Sequence, residues 1–341
     1  MSSIDIVIPC YRYGHYLREC VQSVLAQGVP QTRVLVIDDE SPDETPEVAR
    51  ALAAEDPRVT YRRHARNRGH IETFNEGIAW CEADYMLLLS ADDYLLAGAL
   101  PRAMRLLDAH PAMTLCFGDA LALGPDGLQR RMGVGIEFDG ADTVVLAPGA
   151  FIRLCAASLS RNVVPTPTAI VRTALLRQTG DYHPELPHTS DMELWLRANA
   201  HGPVGVLKAC QAVYRRHAAN MSSAYYSEHH LADIEQRRLA IDTFLAGCDG
   251  VLPDARGLHL ELRKGLSRDA LGQASGAFNE GRRDVADILC RLAATLDPGV
   301  RNSLAWQRLV FKKIIGVNAT NALLSIAAPM RSVPSTEDPS R

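Results

Sequence analysis

Two pairs of adjacent carboxylates, Asp38-Asp39 and Asp92-Asp93, each follow an apolar run. Aspartate favours turns and helix caps, so one such pair alone reads as a solvated turn. Two pairs converging on one crevice read differently. Packed carboxylates are costly unless a cation or hydrogen-bond donors compensate them. A divalent metal carrying a diphosphate would do so, because hard cations prefer oxygen ligands.

Convergence requires elements that bring both pairs to one edge, and the first 120 residues supply them. Ile4 to Cys10, Arg33 to Asp38, Val59 to Arg62, Tyr85 to Ser90 and Met113 to Gly118 read as strands. Between them, helical spacing recurs around Tyr16 to Leu25 and over Asp43 to Ala54, Ile71 to Cys81 and Gly98 to Ala109. Alternating strands and helices predict βαβ units in a Rossmann-like, mainly parallel sheet. Ligands of such sheets bind beyond the carboxyl ends of the strands, where both acidic pairs fall. Residues 120 to 150 read as loops and short strands. Beyond about 228 the chain reads as largely helical, and residues 329–341 as a disordered polar Pro/Ser tail.

Composition narrows the classes. Apolar residues make up 47% and charged residues 22% of 341, enough for a large buried core. A net charge of −4 does not suit a nucleic-acid binder. The eight cysteines form no Cys-x-x-Cys pair, so a zinc site of that kind has no support. They fit a reducing cytoplasm. No signal peptide is read at the N-terminus, and no run reaches the roughly 18 apolar residues of a membrane span.

Six segments together carry a resemblance. IDIVIPCYRYGHYLRECVQSVLAQ, VLVIDDESPDET, RNRGHIETFNEGI and YMLLLSADDYL, followed by HTSDMELWLR and VYRRHAANMS, resemble in order and spacing the blocks of family-2 glycosyltransferases with the GT-A fold. The similarity spans residues 4 to 222. It implies a catalytic domain over 1–225, with its nucleotide-binding part in 1–120 and its acceptor part in 121–225. A helical region over 226–328 would follow. The family resemblance implies inverting transfer of a sugar from a nucleoside diphosphate donor, with uridine or deoxythymidine as base, to a hydroxyl of a glycan, lipid-linked or protein acceptor. It implies Pro9 and Tyr11 lining the nucleoside pocket, Asp39 accepting from the base imide, and Arg68 closing the pocket. Asp92 would lie near ribose and metal, and Asp93 would be the main ligand of Mn2+ or Mg2+. Asp191 would be the general base, and His217 a further metal or diphosphate contact.

Two positions depart from the family pattern: Ser90 where Asp is frequent, and Ser190 where Glu is frequent. Other readings stay open beside these roles. Asp191 opens an apolar helical run and would serve as a simple cap. Glu193 is an alternative base, rotated about 200° from Asp191 on a helix. His217 reads equally as a satisfied histidine. Gly133-Val134-Gly135 lacks the third glycine of a phosphate loop, and no dinucleotide fingerprint is present. A nucleotidyltransferase and a non-catalytic nucleotide-sugar-binding module are the competing classes. Near the end, Trp306, Leu309, Val310, Phe311, Ile314 and Ile315 alternate with Arg308, Lys312 and Lys313. That pattern suits either a helix packed on the domain or peripheral contact with the inner face of a membrane.

Overall fold

Strand β1 (Ile4–Cys10) is apolar on both faces and almost wholly buried, as a central strand of a parallel sheet must be. The computed structural model, which describes residues 2–133, 135–226 and 228–320, places it between two parallel neighbours. After β1 come α1 (Gly14–Leu25), β2 (Thr32–Asp38), α2 (Thr45–Glu55), β3 (Val59–Arg63), α3 (His70–Trp80), β4 (Tyr85–Leu88), a two-residue β5 (Tyr94–Leu95), α4 (Ala99–Ala109) and β6 (Leu115–Leu123). The expected alternation holds with boundaries shifted by a few residues, except that β5 follows β4 without a helix between them. Most of the sheet lies in the order β3-β2-β1-β4-β9-β6-β10-β5, where β9 is Ile170–Arg172 and β10 is Val204–Arg215.

The second half adds β7 (Gln129–Met132), β8 (Thr143–Leu146), α5 (Ala150–Ala157), β9 (Ile170–Arg172), α6 (Thr173–Thr179), α7 (Ser190–His201) and β10 (Val204–Arg215). The sheet is parallel across β3-β2-β1-β4 and again between β6 and β10. Strand β9 runs antiparallel between the two parallel parts, and β5, β7 and β8 also pair antiparallel. Strand β10 has no clean period of two, because its register slips at Leu207, Cys210 and Ala212. Periodicity alone therefore does not reveal it.

One apolar core joins the sheet to α1, α2 and α4 through Leu17, Val21, Leu52, Leu100 and Leu107. The other begins under α3, where Gly77 allows the helix to sit directly on Val7; a Cβ there would lie 2.2 Å from Val7 Cγ1. This second core runs through α5 and α7 into α8 (Leu231–Cys248), α9 (Ala255–Asn279) and α10 (Arg283–Leu296), with Phe244, Leu262, Phe278 and Leu289 fully buried. The last third thus shares a core with α3, α5 and α7. The polar tail at 329–341 lies outside the described residues.

Helix α11 (Leu304–Ile315) buries Leu309 and tucks Trp306 against the core, but leaves Leu304, Val310, Phe311 and Ile314 exposed. Lys312 Nζ turns inward to Ser275 Oγ at 2.8 Å, and Lys313 Nζ to Asp287 Oδ1 at 2.6 Å. No helix among the described residues is long and apolar enough to cross a membrane. All eight cysteines are free thiols, and seven are buried.

Candidate active site

Strands β2 and β4 flank β1 on either side, in a register that sets Cys10 beside Asp38 and Val7 beside Leu88. Both acidic pairs therefore leave the sheet at its carboxyl edge, on either side of Pro9 and the exposed Tyr11. The two carboxylates of the first pair do different work. Asp38 is fully buried and fastens the turn: it accepts from Ser41 N at 2.7 Å and Tyr61 Oη at 3.1 Å, and pairs with Arg63 at 3.2 Å. Asp39 is buried as well, but takes its partners from the segment before α3. Its Oδ1 accepts from Arg68 N at 2.7 Å and contacts His64 Nδ1 at 2.7 Å; its Oδ2 accepts from Gly69 N at 2.9 Å. Gly69 takes φ of +83°, a backbone shape open to glycine, so two successive N–H groups turn toward one carboxylate.

The Arg68 side chain does not reach Asp39. It pairs with Glu76 at 2.9 Å and with Glu72. His64 joins the same network, with Nε2 at 2.9 Å from Glu76 Oε2. His64 carried no sequence signal, because its partner Glu76 lies on a different element.

The second pair is buried beneath β10. Antiparallel pairing of Val213 with Tyr94 carries Arg215 N to within 2.9 Å of Asp93 Oδ1. The Arg215 guanidinium lies over the rings of Tyr16 and Tyr94, 4.6 and 4.9 Å from their centroids, and donates to Asp92 O at 2.6 Å. His217 Nε2 sits 3.1 Å from Asp92 Oδ2, and Asn220 Nδ2 donates to the same oxygen at 3.3 Å. The His217 ring stacks on Tyr16 and meets Tyr13 edge-on. Burial pushes both carboxyls up; for Asp93 the charge of Asp92 adds to the rise and outweighs the Arg215 contacts. A divalent cation would compensate these carboxyls, and two carboxylates with an imidazole fit a hard or borderline ion. Among the described residues the one trio whose donor atoms all lie within 4.8 Å of one another is His15, Asp43 and Glu44; Asp92, Asp93 and His217 are not drawn together as tightly. In that tighter trio Asp43 is already engaged by Gly14 N, Thr45 N and Thr45 Oγ1.

Asp191 stands in the first turn of α7, not at its cap: Ser190 opens the helix and no side chain caps it. Its Oδ2 accepts from Asn162 Nδ2 and Thr166 Oγ1, both at 2.9 Å, and its Oδ1 from Met192 N at 2.6 Å. Burial raises its carboxyl above the usual value, against the lowering effect of Thr166 and Met192. Glu193 points elsewhere. It is 1% exposed and clasps Arg197, which also binds the carbonyls of Thr179, Gly180 and Asp181. Helix α7 is buried nearly all round. Asn162 and Thr166 lie in an irregular segment that no periodicity marks.

Residues 5–139 match the family described as Glycosyl transferase family 2. This chain carries a family-2 glycosyltransferase domain. It is 26% identical over 254 residues to the poly(ribitol-phosphate) beta-N-acetylglucosaminyltransferase TarS of Staphylococcus aureus, covering 71% of this chain and 40% of TarS. The chain spans less than two thirds of the first curated relatives it matches. The crystal structure of TarS 1–349 in complex with UDP-GlcNAc superposes with a TM-score of 0.58 at 17% identity, over 88% of this chain and 92% of that one. The mannosyltransferase PcManGT of Pyrobaculum calidifontis, in complex with GDP-Man and Mn2+, superposes at 0.52 with 16% identity, over 95% and 88%. At such identities the likeness speaks for the fold, which the family-2 domain shares with the GT-A structure of TarS.

Proposed function

We propose that this chain is an inverting glycosyltransferase that moves a sugar from a nucleoside diphosphate donor to an acceptor hydroxyl. The observation that carries the reading is the pair of acidic turns flanking β1, one holding Asp39 and the other Asp92 and Asp93, all three buried. In this reading Pro9 and Tyr11 line the nucleoside pocket, and Asp39 accepts from the base imide. Arg68 braces the pocket wall through Glu72 and Glu76. Asp93, with Asp92 and His217, would hold Mn2+ or Mg2+, which when bound neutralises charge growing on the departing diphosphate.

Asp191 takes the proton of the acceptor hydroxyl as it attacks the face opposite the leaving group. Its hydrogen bonds from Asn162 and Thr166 fix the carboxylate's direction. One base and one leaving-group site suffice without a covalent nucleophile, so the anomeric centre inverts. TarS was solved with UDP-GlcNAc and PcManGT with GDP-Man, so the shared fold supports a nucleotide sugar without choosing its base. A uridine or deoxythymidine diphosphate donor rests on the family resemblance. So do a role in surface polysaccharide or other glycan assembly and a cytoplasmic location.

The test is a thermal-shift screen of nucleoside diphosphates and nucleotide sugars with and without Mn2+. A specific donor raises the melting temperature by mass action, and more so with metal. If no nucleotide shifts the transition at millimolar concentration, the donor-site reading fails.

A further inference from the structure

The base-bearing turn of α7 and the Asn162 segment that orients it converge on one buried ion network in the helical region. From the turn that leads into α7, His188 Nε2 contacts Asp233 Oδ1 at 2.9 Å, while His188 N and Thr189 Oγ1 donate to Gln236 at 3.2 and 3.0 Å. The His188 ring also stacks on Tyr225, with centroids 4.1 Å apart. From the other side, Arg161, next to Asn162, pairs with Asp269 at 2.9 Å. Arg237 joins the two arms, its Nη2 lying 2.8 Å from Asp233 Oδ2 and 2.6 Å from Asp269 Oδ2. Asp233, Arg237 and Asp269 are all less than 9% exposed.

The same helices hold the backbone before Asn162. Leu159 and Ser160 both take positive φ, 60° and 55°, which non-glycine residues seldom adopt. Arg237 Nη1 donates to Leu159 O at 3.1 Å, and Ser160 Oγ donates to Leu262 O at 2.6 Å. Gly265 lets α9 approach this turn: a Cβ there would lie 2.4 Å from Ser160 Oγ. Such a turn persists only where its surroundings over-determine it.

We infer that α8 and α9 act as a clamp that sets the direction of the Asp191 carboxylate, with Arg161, Arg237 and Asp269 as positioning residues. The inference rests on Asp191 being the general base. It gives the last third of the chain a part in the reaction rather than in stability alone. Misplacing a catalytic group by about an ångström costs on the order of a hundred-fold in rate. Donor binding, which belongs to the β1, β2 and β4 edge, should be untouched.

The variants are Arg161→Ala, Arg161→Lys and Asp269→Asn in the full chain. The side chain of Arg161 is 53% exposed, so its removal leaves folding intact even if Asp269→Asn does not. The first readout is amide hydrogen exchange over residues 159–166 and 188–193 in the protein without nucleotide. Faster exchange there in Arg161→Ala, with α1 and α4 unchanged and Arg161→Lys partly restored, is expected. Unchanged exchange overturns the clamp. The second readout is turnover of the nucleotide sugar that gives the largest Mn2+-dependent melting shift, with UDP affinity measured in parallel by calorimetry. Turnover should fall about tenfold or more in Arg161→Ala while UDP affinity stays within about twofold. Normal turnover in Arg161→Ala beside a dead Asp191→Asn overturns the clamp. Normal turnover in Asp191→Asn instead overturns the base assignment, and the exchange result still decides the clamp.

Discussion

His217 Nε2 lies 3.1 Å from Asp92 Oδ2, so the loop after β10 closes directly over the second acidic turn. Arg215 reinforces the closure through Asp93 Oδ1 and the carbonyl of Asp92. In the absence of metal, this cover leaves Asp93 buried and only thinly compensated. Asp93→Asn should therefore raise the melting temperature of the metal-free protein while abolishing its Mn2+-dependent rise and its turnover. Differential scanning fluorimetry with and without Mn2+ measures the first two. A persisting Mn2+ shift in this variant would remove Asp93 from the metal site.

His217→Ala separates the histidine's two contacts. If it only satisfies Asp92, loss of the ring lowers stability by about 1–3 kcal/mol and leaves metal affinity intact. As a ligand, its loss weakens Mn2+ by about ten-fold or more, the scale on which even outer-shell partners of a metal act. Metal titration by calorimetry on the variant distinguishes the two, and the proposed site expects the weaker binding.

Asp39 is satisfied by three donors, and this changes what its removal does. From its strand-end position alone, Asp39→Ala is expected to weaken donor binding with little effect on folding. In the structure the substitution takes the partner from Arg68 N and from the buried His64 Nδ1, while Gly69 N keeps Asn67 Oδ1 at 3.2 Å. Each unsatisfied group costs about 1–3 kcal/mol, so the variant should melt earlier as well as bind UDP more weakly. Denaturant unfolding and calorimetry on the same preparation check both outcomes. Unchanged UDP affinity in a folded variant would count against Asp39 as the base contact.

The terminal helix gives a further expectation. Of the cations on this helix that a membrane surface would attract, Lys312 and Lys313 are engaged by Ser275 and Asp287, and Arg308 alone stays exposed. The intact protein should not co-sediment with anionic liposomes, although Leu304, Val310, Phe311 and Ile314 lie bare on its outer side. Sedimentation abolished by removing residues 300–341 would reverse that expectation.

How much was legible follows from what each residue depends on. Asp39 follows the end of β2, and Asp92 and Asp93 follow the end of β4, so a local pattern finds them and a parallel-sheet rule brings them together. Arg215 stood inside the VYRRHAANMS segment, yet its part becomes visible only when β10 pairs with β5. Asn162, Thr166 and His188 act across 25 residues or more of chain, from an irregular turn and a loop. Nothing in their local spacing encodes those partners. The split between Asp38 and Asp39 likewise depends on Tyr61 and Arg63 of a neighbouring strand.

Asp191 carries the most decisive test. Burial holds its carboxyl above the ordinary value, despite the hydrogen bonds from Thr166 and Met192. The folded chain therefore keeps a proton there that the unfolded chain has released. Between the ordinary carboxylate value and the raised one, the folded state binds more protons, so this group's contribution to stability falls as pH rises. Turnover runs the other way. A general base must be ionised, so the acid limb of the rate profile should rise at a pH above the usual carboxylate range. Asp191→Asn keeps the shape and removes the charge. It should melt no earlier than the parent at neutral pH, bind UDP and Mn2+ normally, and lose about a hundred-fold or more in turnover. Helix capping cannot produce this pattern, because Asp191 lies inside the first turn and its Oδ1 contacts only the next residue's N–H. Glu193 offers no substitute, since its carboxylate is enclosed by Arg197. Near-normal turnover in Asp191→Asn would therefore require a base from outside this helix.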